Sequence, residues 1–268
     1  MRTQVIGPRS AGWLRPTALK VPEITVWFWV IKLLSTAMGE STSDFLVFHI
    51  NPYVAVVLGS LGLVLAVTIQ LATPRYLAPV YWFAVVMIAV FGTMIADVLH
   101  VVVGIPYVVS TAVLAAALGV TFVAWHRVEG TLSIHSIVTT RRELFYWATV
   151  IATFALGTAA GDLVASTLGL GYGPAAVAFG VAFVIPAIGY RWLGWNAIAA
   201  FWAAYVITRP LGASVADWLG KSTLGGLGFG DDKVAIVLTA CIVLVVAYVT
   251  VTRVDVATDA VTGRASPG

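Results

Sequence analysis

The stretch WAAYVITRPLGASVAD, Trp202 to Asp217, decides the fold because its spacing, Trp-x9-Gly-x4-Asp, occurs four times in the chain. The same positions are filled by Trp29, Gly39 and Asp44, by Trp82, Gly92 and Asp97, and by Trp147, Gly157 and Asp162. Each copy opens on an aromatic cluster (Trp27-Phe28-Trp29, Tyr81-Trp82-Phe83, Phe145-Tyr146-Trp147, Phe201-Trp202). Each is followed by a second apolar segment that lacks the signature. The repeating unit is therefore two hydrophobic segments long.

Composition sets the environment of these segments. Of 268 residues, 60% are hydrophobic and only 10% charged, too few polar groups to cover a water-soluble surface. Eight apolar runs, near 23–46, 52–73, 78–102, 105–126, 143–165, 173–192, 196–219 and 233–252, match the roughly 20 residues a helix needs to cross a bilayer. The runs are continuous and do not alternate, which excludes a membrane β-barrel. The expected fold is an all-α polytopic membrane protein: eight transmembrane helices in four tandem two-helix repeats, about 22–74, 75–127, 140–193 and 194–254. Residues 1–21 and 255–268 form tails around a single membrane domain, 22–254.

Charge placement orients this domain. Arg2, Arg9, Arg15, Lys20, Arg75, Arg127, Arg141, Arg142, Arg191, Arg253 and Arg264 fall in the tails and one set of connectors; Lys221 and Lys233 fall in the other set. The positive-inside rule places both termini in the cytoplasm. The first 21 residues are polar and contain no signal peptide pattern. The net charge of +3 resides in those loops and gives no reason to invoke nucleic acid. The single Cys241 excludes an intramolecular disulfide.

With two spans per repeat, every signature helix runs in the same direction, so the repeats are quasi-symmetric about an axis along the membrane normal. A nested duplication also shows. Repeats one and two share Pro52-Tyr53-Val54 and Pro106-Tyr107-Val108, and repeats three and four share Ser166-Thr167-Leu168-Gly169 and Ser222-Thr223-Leu224-Gly225. With its opening Lys20-Val21-Pro22-Glu23-Ile24-Thr25 and the run Lys32 to Glu40, the chain resembles the bacterial family labelled uncharacterised membrane-anchored proteins. That family is built from four tandem two-span repeats of unknown function, each marked by a tryptophan. The resemblance covers nearly the whole chain; it implies the fold and carries no activity.

The candidate site is read from the acids. Stepping back by four from each Asp gives one helix face per repeat: Lys32, Thr36, Glu40, Asp44; Val85, Ala89, Thr93, Asp97; Val150, Phe154, Thr158, Asp162; and Tyr205, Arg209, Ala213, Asp217. If the signature helices face one another, four carboxylates share one level, with Glu40, Thr93 and Thr158 one turn deeper. Intramembrane acids mark ion or proton pathways; the alternative is that each Asp only ends its helix at the headgroups. Lys32 and Arg209 are either gating charges or structural ones, such as a buried Arg209–Glu40 pair. Trp29, Trp82, Trp147 and Trp202 form an aromatic layer at the other end, read as an interfacial belt or helix packing, or else as a gate. Pro210 beside Gly212 predicts a kink in span seven.

Two further patterns carry weaker chemistry. Thr167 to Gly173 superficially resembles a carbonyl-lined channel filter but reads as a turn. Asp97 with His100, and Asp44 with His49, place an imidazole near a carboxylate, a possible transition-metal entry site. Nucleotide, zinc-protease, dinucleotide and hydrolase signatures are absent, so no enzyme is expected. The expectation is a transporter for a small cation, a divalent metal being the favoured cargo, with proton coupling through the acidic layer. Its partners are the lipid bilayer and that cation, without a resident cofactor. The alternatives are a structural or sensory membrane module and, behind it, an ion channel.

Overall fold

The computed structural model describes residues 19–256. The expectations that rest on Arg2, Arg9, Arg15 and Arg264, and on most of the two tails, lie outside the described residues. Eight helices follow one another: α1 (Val26–His49), α2 (Pro52–Ala72), α3 (Ala78–Asp97), α4 (Tyr107–Glu129), α5 (Thr140–Asp162), α6 (Tyr172–Trp192), α7 (Ala197–Gly220) and α8 (Asp231–Thr252). Their ends fall within three residues of the apolar runs once the π-helical turns Val98–Val102 and Leu163–Thr167, which prolong α3 and α5, are included.

Polar residues flanking the runs set these ends. Thr25, Asn51, Thr139 and Asn196 accept backbone N–H groups from the first turns of α1, α2, α5 and α7, and Pro52 takes the first position of α2. Gly130 closes α4 in the left-handed conformation, with φ 71°. The helix α7 continues through Pro210 to Gly220, so the expected kink does not break it. Residues 167–170 of the filter-like stretch are exposed between the core of α5 and α6, away from the bundle interior.

Seven of the helices are long and apolar enough to cross a membrane. The eighth, α1, carries Lys32, Glu40 and Asp44, all buried, so its charges point into protein and not into lipid. The signature helices lie inside: 56–61% of the apolar window is buried in α3, α5 and α7, against 17–22% in α2, α4, α6 and α8. Around the inner bundle, α1 touches α3 and α7, and α5 touches the same two. Each second helix packs chiefly on the signature helix of the following repeat: α2 on α3, α4 on α5, α6 on α7, and α8 back on α1. The last repeat thereby closes on the first.

Contacts at two levels repeat around this ring. A Cβ added to Gly39 would overlap Ala89, one on Gly92 would overlap Phe154, one on Gly157 would overlap Arg209, and one on Gly212 would overlap Thr36. All four partners lie eight residues before the Asp of their own helix, so this is one contact made four times in one rotational sense. At the Trp end, Phe28 meets Trp82, Tyr81 meets Trp147, Tyr146 meets Trp202 and Phe201 meets Trp29, with ring centroids 5.4–6.1 Å apart. Equivalent residues meet at equivalent heights only if the four helices are parallel.

The aromatic level corrects the reading of an interfacial belt. Trp82, Trp147 and Trp202 are buried and Trp29 is half-buried, because the residue preceding each Trp packs its ring against the next Trp around the bundle. The π-helical turns follow Asp97 and Asp162, in repeats two and three, and so cut across the pairing of repeats suggested by the connector motifs.

The glycine level yields a stability prediction. Gly212→Ala should lower the stability of the detergent-solubilised protein by about 1–3 kcal/mol through overpacking against Thr36. Gly119→Ala, where an added Cβ within α4 meets nothing within 4 Å, should not lower it. Unfolding curves of the two variants beside the wild type check this.

Candidate functional site

Inside the ring, the three levels that begin one turn below the aspartates are fully buried. Nearest the aspartates lie Glu40, Thr93, Thr158 and Ala213; next come Thr36, Ala89, Phe154 and Arg209; deepest lie Lys32, Val85, Val150 and Tyr205. The sequence thus brings one acid, four hydroxyls and two bases onto the axis of a four-helix bundle.

Arg209 starts from the middle level and its guanidinium reaches the one above. Its Nη2 donates to Glu40 of α1, to Thr93 of α3 and, at 2.7 Å, to Thr158 of α5; Nη1 donates to the Thr36 carbonyl at 3.5 Å. One side chain of α7 therefore binds all three other signature helices. Both threonine hydroxyls also bond a carbonyl of their own helix, Thr93 to Ala89 at 3.1 Å and Thr158 to Phe154 at 3.2 Å, which aims their oxygens at the guanidinium. Lys32 sits one level further down. Its Nζ lies 3.8 Å from the centroid of the Phe154 ring and 4.2 Å from that of Tyr205, and has no hydrogen-bond partner among the described residues.

Above Arg209 the acids gather. One oxygen each of Glu40, Asp162 and Asp217 lies within 4.8 Å of the other two. Lys221, the first residue beyond α7, pairs with Asp44 at 2.9 Å and Asp217 at 2.8 Å. Burial alone would lower the Lys221 amine, but the carboxylates of Asp217, Asp44 and Glu40 outweigh it and hold the amine well above its ordinary range. Asp97 and Asp162 are half-buried and join no ion pair among the described residues, and Asp97 Oδ2 is buried without a hydrogen-bond partner. Five carboxylates thus face two cations, Arg209 and Lys221. The donors are all oxygens, which suits a proton or a hard cation.

The histidines do not join this group. His49 turns back on its own helix, its Nδ1 2.9 Å from the Phe45 carbonyl and its ring stacked on Phe45. His100 lies in the π-helical turn, which re-aims its ring: Nδ1 is 2.9 Å from the Ile105 carbonyl and the ring stacks on Tyr107. The Asp44/His49 and Asp97/His100 metal reading is corrected here, because both rings are taken up by local carbonyls and by stacking.

Sequence reasoning left out Lys221, treated only as a connector charge, although its position four residues after Asp217 signals the pair. It also left out a buried lock at the Trp end. There Lys20 Nζ meets Glu143 Oε2 at 2.6 Å and the Leu71 carbonyl at 3.1 Å, while Gln70 Nε2 donates to Glu143 Oε1 at 3.0 Å. The residues joined are 123 and 73 positions apart, and no spacing rule connects them. A cavity of about 490 Å³ opens beside α4 and α7, lined in part by Phe122, His126, Leu132, Asn196 and Trp202; none of the axial charges lines it.

The sequence profile of the family described as Repeat of Unknown Function (DUF347) matches residues 27–76, 80–131, 145–194 and 200–255. The chain belongs to this family, and the four matches follow the four helix pairs. No curated protein and no solved structure matches it.

Arg209 and Glu40 form a buried pair whose members depend on each other. Glu40→Gln should destabilise the protein by about 3–5 kcal/mol, because it leaves a guanidinium without its anion. The double variant Glu40→Gln/Arg209→Met should lose less than the two single losses added together. A double-mutant cycle from unfolding in detergent measures the difference.

Proposed function

We propose that this four-repeat DUF347 protein transports a small cation across the bacterial cytoplasmic membrane, with a divalent metal as cargo and protons as the exchanged ion. The observation that carries this reading is the approach of Glu40, Asp162 and Asp217 oxygens to within 4.8 Å of one another on the axis. Glu40 and Asp217 are paired with Arg209 and Lys221, so the charge left over at that spacing is that of Asp162, which either a proton or a cation offsets. Exchange between those two occupants is the elementary step of proton-coupled transport. Lys221 bridges Asp44 and Asp217 at the rim and Arg209 binds Glu40 at the floor, so each base competes with a cation for acids of the site.

The orientation follows from charge. Arg75, Arg127, Arg141, Arg142, Arg191 and Arg253 all lie at the Trp end of the helices, which by the positive-inside rule supports a cytoplasmic Trp end with the aspartates under the outer surface. In that orientation the aromatic ring and the Lys20–Glu143 lock close the inner side. An ion channel fits less well, because Arg209 occupies the axis.

A second reading, a structural module whose charges only hold helices together, draws on the bonds from Arg209 to all three other signature helices. It gives no role to Asp97 and Asp162, which no base in the bundle neutralises.

The test is the elemental content of cells expressing the wild type or Asp44→Asn/Asp162→Asn at equal membrane abundance, across a panel of metal challenges. The transport reading expects one divalent metal to shift at least several-fold with the wild type and not with the variant. No shift in any element with either protein would favour the structural module.

A further inference from the structure

Lys32 is the one charged group of the axis that the cation site leaves without a task. Its side chain is 1% exposed, its Nζ has no hydrogen-bond acceptor, and the surfaces nearest to it are the faces of Phe154 and Tyr205. A lysine kept only for structure would be expected to carry an anion beside it, as Lys20 does with Glu143. Two ring faces favour an ammonium weakly and also accommodate a neutral amine, so the cage tolerates both forms.

The neighbours make the choice depend on the acids above. The charged and titratable groups around Lys32 are Tyr205 and Arg209 from α7 and, two turns along its own helix, Glu40. At the same depth α3 and α5 supply Val85, Val150 and Phe154, which do not titrate. Beyond Tyr205 lie the hydroxyls of Tyr146 and Tyr81, hydrogen-bonded to each other. With no metal bound, the uncompensated acids favour a second positive charge on the axis. With a divalent cation among them, Lys32 faces Arg209 as a like charge only.

We propose that Lys32 carries the exchanged proton: it is an ammonium when the Glu40/Asp162/Asp217 group holds no metal, and a neutral amine when a divalent cation sits there. The proposal rests on the transport reading of that group. On metal binding one N–H bond of the ammonium breaks, the electron pair stays on nitrogen, and the proton passes to water.

The test uses the full chain in detergent with Mn²⁺ as the probe, near neutral pH. Protons released per bound ion are measured by calorimetry in buffers of different ionisation enthalpy. Lys32→Met should bind Mn²⁺ and release about one proton fewer per ion than the wild type. Lys32→Arg, which keeps a permanent charge, is the second variant: it should also release one fewer, and should bind more weakly. Equal proton release from wild type and variants overturns the proposal. In parallel, the side-chain ¹⁵N signal of Lys32, assigned by its loss in either variant, should pass from that of an ammonium to that of a neutral amine when Mn²⁺ is added. A signal that stays that of an ammonium throughout overturns the role of Lys32 alone, whereas absence of Mn²⁺ binding by the wild type overturns the transport reading and the exchange with it.

Discussion

The guanidinium of Arg209 is the interaction on which the interior depends. It enters from α7 and takes one oxygen from each of α1, α3 and α5, so the relative heights of all four signature helices are fixed by a single side chain. In a low-dielectric interior such a group is tolerated only when its charge is met; Glu40 supplies the anion, and Thr93, Thr158 and the Thr36 carbonyl accept from its two Nη atoms, while Nε has no partner among the described residues. The glycine level lies at the same depth, and Gly157 is the position that lets α5 approach the Arg209 stem.

A ring of four similar repeats imposes different rules at its rim and at its centre. Contacts between adjacent helices are made four times over, so the residues that make them recur: Gly against the helix face of the next repeat, and an aromatic residue against the next Trp. At the axis four copies of one side chain would meet, and four guanidiniums or four lysines there would repel. The central positions are therefore filled differently in each repeat, with Lys32 and Glu40 from the first, Thr93 from the second, Thr158 from the third and Arg209 from the fourth. The aspartates are the exception, the same charge repeated four times. Lys221 offsets two of them, leaving the excess of negative charge that characterises this end.

The rim was legible in the sequence because it repeats. Trp, Gly and Asp at fixed spacing gave the helix pairs, their parallel arrangement and the level at which the acids meet. The pair of Arg209 with Glu40 was legible as a possibility, since both are charges inside apolar spans and one polar face carries each. Other features could not be read. The burial of the tryptophans depends on which neighbour covers them, and the packing of each second helix on the following repeat is a choice among surfaces that periodicity leaves equivalent. His100, in the π-helical turn after Asp97, is taken up by the Ile105 carbonyl and the Tyr107 ring, contacts that helical spacing does not reveal. The Lys20–Glu143–Gln70 lock joins distant parts of the chain whose residues, taken singly, look like ordinary loop and helix-end charges.

The claim at the centre of this account is that the carboxylates above Arg209 hold a cation. Anomalous scattering from crystals of the protein grown with Mn²⁺ tests it most directly. The account predicts a peak within bonding distance of the Glu40, Asp162 and Asp217 oxygens, with Arg209 still below it. No peak there at saturating Mn²⁺, with the acids drawn onto Lys221 and Arg209, would contradict it.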